Sequence, residues 1–301
     1  MGCHFRPRST VRPRCGAPVR PGGTPAADPG VTVGVLGPVR AWQAGRLLPP
    51  GPAQRQLVLA VLALRAGTAV PREELVDALW ERAPASAVNT VHKHVWALRA
   101  VLEPAHPRRD GQLLATVAGG YELRLAPGAV DALAFAADTA RARQAAAAGD
   151  LPAAAAGLSA ALRRWRGSAL AGLDGPLVPA LAQALHDTRL AAAEDHARVL
   201  LALGRPGQAA GALAGPAAGH RLRESLCQLL MLARYQAGDL PGALAAYHVT
   251  RQALAEGMGA DPGASLSGLL QQILRRDPAL DPPAAAAPGP CPGMAARRSW
   301  R

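Results

Sequence analysis

The sequence predicts a mainly α-helical chain in two parts. The first is an N-terminal winged helix-turn-helix with a small β-sheet, three helices and a wing hairpin; the second is an α-helical, tetratricopeptide-like repeat domain. Three observations carry this expectation. In residues 86–102, Val88, Val91, Val95, Leu98 and Leu102 recur at helical spacing and form one apolar stripe. Residues 113–125 alternate instead: Leu113, Ala115 and Val117 share a face, Tyr121, Leu123 and Leu125 share a face, and Gly119-Gly120 between them is a tight-turn signal. Beyond Val130 the pattern is helical almost throughout, and a glycine-containing phrase returns after 34 residues, from Gly204 to Gly238.

Taken in order, residues 1–30 are rich in Pro, Gly and Arg and show no period. They read as a disordered basic leader, the alternative being an extension from a misplaced start codon. At Val31 alternation begins: Val31, Val33 and Val35 share a face, Gly37-Pro38 breaks the run, the strand resumes at Val39 and Gly45 turns it again. This is a small antiparallel sheet, with Trp42 as a packing residue. Residues 53–65 form a helix that buries Leu57, Val58, Val61, Leu62 and Leu64 and ends at Gly67; Arg55 near its start is a candidate phosphate contact. A second helix starts at Pro71, with Glu73 and Glu74 where the helix dipole favours acids. Ser86 can cap the third. On that helix Asn89, Lys93 and Ala100 point away from the apolar stripe, with His92, Trp96 and Arg99 along one flank. Such side chains can reach phosphates and base edges. Outer faces of this kind are usually only solvated, so it is the order of helix, helix, helix and hairpin that points to DNA.

In the second half Asp131 can cap a helix carrying Leu133, Phe135 and Ala136. The phrase AGDLPA at Gly149 recurs as LGRPGQA at Gly204 and AGDLPGA at Gly238, each ahead of an apolar helix. The last two lie one tetratricopeptide period apart. The first lies 55 residues earlier, so an irregular unit containing GLDGPLVPAL intervenes. Tyr235, Tyr247 and Met231 sit at helical spacing as core residues. The expected boundaries are 31–126 for the winged helix, 127–277 for the helical domain and 278–301 for a disordered tail.

The net charge is +12, but residues 1–30 and the tail from Pro278 hold half of the excess, and residues 31–125 carry eleven basic against seven acidic groups. A basic balance is compatible with nucleic acid without establishing it. No apolar run is long enough to cross a bilayer, and a soluble, cytoplasmic, nucleoid-associated protein is expected. Cys3, Cys15, Cys227 and Cys291 are scattered without metal-ligand spacing, which predicts no metal site and no disulfide framework. His92 and His94 are two residues apart and point to different faces of a helix, so they cannot chelate one metal together. No phosphate-binding G-x-x-x-x-G-K-[ST] and no G-x-S-x-G elbow occurs. Neither enzyme activity nor a cofactor is expected.

The run REELVDALW, a proline-containing loop, a helix ending WALRAVLE and the strand GGYELRL together resemble the OmpR-type winged helix of the Streptomyces antibiotic regulatory protein family. WRGSALAGL at 165–173, the segment HRLRESLCQLLMLARYQAGDLPGALAAYHVTRQAL from His220, and GADPGASLSGLLQQIL at 259–274 resemble the bacterial transcriptional activator domain of the same regulators. The resemblance implies that the 86–102 helix is a recognition helix. It places Asn89, His92, Lys93, Trp96 and Arg99 near the DNA face, Val88, Val91, Val95 and Leu98 inward, and Gly120-Tyr121 at the end of the wing turn. Trp96 departs from the small polar residue expected before Leu-Arg. The resemblance further implies double-stranded DNA with direct repeats near promoters as the target, head-to-tail or homodimeric pairing, contact with RNA polymerase and control of a secondary-metabolite cluster. The competing reading is a helical-repeat interaction protein whose winged helix no longer binds DNA.

Overall fold

The computed structural model describes residues 30–104 and 111–282, so residues 1–29 of the expected leader and the tail from 283 lie outside the described residues. The chain opens with strands β1 (Val31–Gly34), β2 (Arg40–Gln43) and β3 (Arg46–Leu48), antiparallel and in that order. The alternation read from the sequence is the buried face: Val31, Val33 and Val35 are fully enclosed while Thr32 is exposed. Helix α1 (Ala53–Leu64) follows, then strand β4 (Ala69–Pro71), helices α2 (Arg72–Leu79) and α3 (Ala87–Leu102), and strands β5 (Leu114–Val117) and β6 (Gly120–Leu123).

Pro71, expected to open the second helix, instead ends strand β4, and α2 starts one residue later at Arg72. The residues of β4 are too few to show alternation, and their partner lies far along the chain. β4 pairs antiparallel with β6, Val70 opposite Tyr121 and Pro71 opposite Gly120, so the wing is the rest of a three-stranded sheet ordered β4-β6-β5. Pro71 is tolerated because it ends an edge strand. Ser86 does occupy the position before α3, but its side chain makes no capping bond, and its carbonyl instead accepts from the Thr90 hydroxyl.

The second half consists of antiparallel helix pairs: α4 (Asp131–Ala147) with α5 (Leu151–Leu162), α6 (Val178–Ala202) with α7 (Pro206–Gly219), and α8 (Glu224–Gln236) with α9 (Leu240–Met258). The recurring phrase is the turn inside each pair. Gly149, Gly204 and Gly238 all take positive φ, between 66° and 84°, and Asp150 and Asp239 cap the next helix by accepting from Ala153 N and Gly242 N. Helix α10 (Ala264–Arg275) closes the array over Met231, Tyr247 and Cys227. The fold runs past the expected boundary at 277. Pro278–Leu280 forms a 3-10 turn, Leu280 is buried in that closing cluster, and its carbonyl accepts from Gln236 Nε2 at 2.9 Å.

The two halves are joined by bonds that the sequence did not show. Asp131, expected as a helix cap, lies in the first turn of α4 but caps nothing. Its carboxylate reaches back to the first sheet and accepts from Val35 N at 2.7 Å and Leu36 N at 3.1 Å. Arg166 pairs with the same carboxylate at 2.9 Å, lies 5.2 Å over the Trp42 ring, and donates its own amide to Leu36 O. Leu170 N donates to Val35 O, and Val130 bridges Val33 in parallel. The irregular unit between the first and second phrases is thus the segment that docks on the winged helix. One apolar core runs without interruption from Val31 to Ala233.

Two carboxylates, Asp131 at the joint and Glu194 inside the array, set measurable parts of the stability. Removing the carboxylate in Asp131→Ala strands two amides of fully buried residues, at about 1–3 kcal/mol each. Denaturant unfolding should show a loss of about 2–6 kcal/mol; a change under ~0.5 kcal/mol, the scale of surface substitutions, would contradict the joint. The second is Glu194, buried on α6, which accepts from Arg223 Nε at 2.6 Å and Ser225 Oγ at 2.7 Å. Burial alone pushes its carboxyl up, but the hydrogen bonds from Arg223 and Ser225 and the Arg223 and Arg198 charges outweigh it and hold the pKa below the usual glutamate value. A depressed folded pKa contributes stability that is complete above the unfolded value and is lost as pH falls through the folded one. The stability gap between the wild type and Glu194→Gln should therefore be constant at neutral pH and shrink on acidification; a gap that widens would contradict this.

Candidate nucleic-acid interface

Helix α3 is held by Ala87, Val91, Val95, Leu98 and Leu102, all buried. Val88 is a correction to the predicted stripe: it is 45% exposed. At about 100° per residue it falls at the rim of the buried arc, and Ala87 takes the inward place in the first turn. The opposite arc stands free. Asn89, His92, Lys93 and Ala100 are exposed and Trp96 is 65% exposed, so the indole does not cover the core edge.

Arg99 is the principal correction. Expected on the outer flank, it is only 5% exposed, and its guanidinium points into the wing. Nε donates to Leu114 O at 2.8 Å and Nη2 to Thr116 Oγ1 at 2.7 Å. One turn on, buried Glu103 accepts from the amides of Gln112, Leu113 and Leu114. The last turn of α3 therefore pins the first strand of the wing through two charged side chains, both used structurally. The physical reason lies in angle: Arg99 falls only about 20° from Val88, at the same rim, on the side where the wing packs.

The wing residues are corrected as well. The register places Val117 opposite Gly120, so the turn is Ala118-Gly119, with Gly119 at φ 78°. Gly120 serves a different need, since a Cβ there would overlap the Val70 carbonyl oxygen where β4 crosses close to β6. Tyr121 is 4% exposed and packs edge-on to His92 at 6.2 Å, and burial pushes its phenol pKa up, against the opposing charges of Arg72 and Arg99. Gly120 and Tyr121 build the wing from within, and the surface a partner can reach there is Ala118 and Gly119.

Arg55 is half-buried on α1, and its Nε is buried without a hydrogen-bond partner among the described residues. Beside it stands His94, whose pKa is lowered by burial and then by the Arg55 charge. Arg72, passed over in the sequence, is in a like state: its amide donates to the Gly119 carbonyl at 3.1 Å, and its Nε is buried and unpartnered among the described residues. Its only sequence signal is a cation at the first position of α2, just before the two acids. Arg65 and Arg124 are paired with Glu74 and Glu122. The assembled face thus has Asn89, His92, Lys93 and Trp96 on the helix and the Ala118-Gly119 turn at the wing. It presents amide, imidazole, ammonium and indole groups, a set able to meet base edges and phosphates. Among the described residues no group of His, Cys, Asp and Glu could hold a metal, and no helix is long and apolar enough to cross a membrane.

The chain matches known proteins over most of its length. Residues 51–123 match the family described as transcriptional regulatory protein, C terminal, and residues 130–274 match the bacterial transcriptional activator domain. The chain is 43% identical over 250 residues to the regulatory protein AfsR of Streptomyces coelicolor, covering 82% of this chain but 24% of AfsR. It thus spans about a quarter of that relative's length. It is 32% identical to the regulatory protein DnrI of Streptomyces peucetius, covering 83% of this chain and 94% of DnrI. Among solved structures, Mycobacterium tuberculosis EmbR, in complex with a low-affinity phosphopeptide, superimposes with a TM-score of 0.76 at 33% identity, over 85% of this chain and 67% of that one.

The reassignment of Arg99 can be tested without any ligand. Arg99→Ala should lower unfolding stability by about 1–3 kcal/mol and speed amide exchange in β5 and β6, because it strips a buried carbonyl of its donor. Lys93→Ala, at an exposed position, should stay within ~0.5 kcal/mol of wild type. Equal, small effects for both would return Arg99 to the surface.

Proposed function

Because the chain belongs to the Streptomyces antibiotic regulatory protein family of transcriptional regulators, we propose that it is a sequence-specific DNA-binding activator whose helix α3 enters the major groove. The observation that carries this reading is the free outer arc of α3, with Asn89, His92, Lys93 and Trp96 exposed beside a wing pinned at fixed distance by Arg99 and Glu103. Lys93 forms no ion pair among the described residues, so its ammonium is available to a phosphate or a guanine edge. Direct repeats near a promoter, tandem or homodimeric occupancy, contact of the bound regulator with RNA polymerase, and control of a secondary-metabolite cluster complete the proposal. A cytoplasmic, nucleoid-associated location accords with it. Family members are regulators and not enzymes, and this chain is a regulator.

The test is footprinting of the full chain on promoters beside its gene, with an Asn89→Ala, Lys93→Ala double variant. Two protected repeats in like orientation are expected, with binding weakened by about 1–3 kcal/mol per lost base contact and an affinity that falls steeply with salt. Salt-independent or absent binding by a folded chain would favour the competing reading, a helical-repeat interaction protein with a degenerate winged helix.

A further inference from the structure

The outer arc of α3 contains a feature that a phosphate-binding face does not need. Trp96 leaves 65% of its surface open, and Val88, two helical turns earlier and about 80° round the axis at the wing-side rim of this arc, leaves 45%. Trp96 makes no ring contact or hydrogen bond among the described residues, whereas Trp42 lies under Arg166 and Trp165 packs against Phe135. Around the helix axis it falls between His92 and Asn89, about 40° from one and 20° from the other, with Lys93 farther round. It is therefore near the middle of the arc presented to a groove and not at its edge.

Resting on the reading of α3 as the recognition helix, we infer that Trp96 and Val88 select thymine by contact with its C5-methyl group. Of the groups by which base pairs are told apart in the major groove, the thymine C5-methyl is the apolar one, and the others are hydrogen-bond donors or acceptors. An indole and an isopropyl group offer no strong acceptor, and Val88 offers no donor, so their gain on burial comes from apolar surface. Eight residues of helix rise about 12 Å, which spans roughly three to four base pairs at 3.4 Å each. The two side chains thus meet different base pairs of one short site. Lys93 is the one formal cation on the arc, so ionic contact adds strength and the apolar pair adds choice of base.

Replacing thymine by deoxyuridine removes the methyl and leaves every hydrogen-bonding group in place. The experiment takes the full-length chain, enriches its preferred duplex from a randomised pool, and titrates that duplex with each thymine replaced by deoxyuridine in turn. At one or more positions wild-type binding should weaken about fourfold, the worth of one buried methyl. Trp96→Ala or Val88→Ala, both at exposed positions, should abolish that penalty at its own thymine. Lys93→Ala should bind more weakly yet keep it. An enriched duplex that tolerates deoxyuridine everywhere, or a penalty unchanged in both Trp96→Ala and Val88→Ala, overturns the thymine contact and leaves DNA binding standing. A folded chain that enriches no sequence overturns both readings.

Discussion

The rest of this molecule depends on one carboxylate. Asp131 stands in the first turn of the helical array, yet its oxygens accept from two amides at the start of the chain and from Arg166 far downstream. All four backbone groups of Val35 and Leu36 are satisfied by the second half: the two amides by Asp131, and the carbonyls by the amides of Leu170 and Arg166. Fully buried backbone groups with no other partner would oppose folding, so the end of the small first sheet is stabilised by the array docked on it. The joint also needs Gly34, where any Cβ would collide with the Arg166 guanidinium, and it holds Leu170 in the left-handed region at φ 56°. A bulky residue in that region persists only when its surroundings fix it, here by complete burial and the bond to Val35.

A second rule follows from the same economy of charge. In the winged helix several charged side chains are used as internal struts and not as surface. Arg99 and Glu103 leave the solvent to satisfy the backbone of β5, which carries the wing away from α3 at a set spacing. A Cβ on Gly111 would crowd the Leu114 carbonyl, Glu103 Oε1 and Arg99 Nε, so this corner favours glycine. A buried charge is costly unless fully paired, and here each finds neutral backbone partners whose own burial requires them. The wing is thus placed by α3 itself, and the exposed face of that helix is left to the residues that do no structural work.

This explains what the sequence could and could not show. The inward stripe of α3 was legible because apolar spacing reports burial directly, and Val91, Val95, Leu98 and Leu102 all lie within. The turn glycines at 149, 204 and 238 were legible because a left-handed turn selects glycine. Arg99 was misplaced because a guanidinium has the same polarity whether it faces solvent or a carbonyl, so periodicity cannot separate the two. Tyr121 was misplaced for the same reason, an aromatic with a polar tip being equally at home in a wing core. Strand β4 and the role of Asp131 were invisible because each depends on a partner about fifty to a hundred residues away, and nothing in the local sequence marks such pairings.

Because the core is continuous from Val31 to Ala233, the array cannot be regarded as a module on a tether. Its direction relative to α3 is fixed by Asp131, by Arg166 over Trp42, and by the loop at Gly175, where a Cβ would meet Leu57 of α1 and the Ala78 carbonyl of α2. Linkers of ordinary length leave domain orientation free, whereas a shared buried core sets it. Helix α3 and the helices up to α8 therefore share one packed core, while α10 closes a second, smaller cluster at the far end. Burial shared in this way sets the direction of the helical array relative to α3. The irregular unit within the 55-residue interval supplies this joint. It carries Arg166, Leu170 and Gly175, the residues that a regular helix pair would have had no reason to place there.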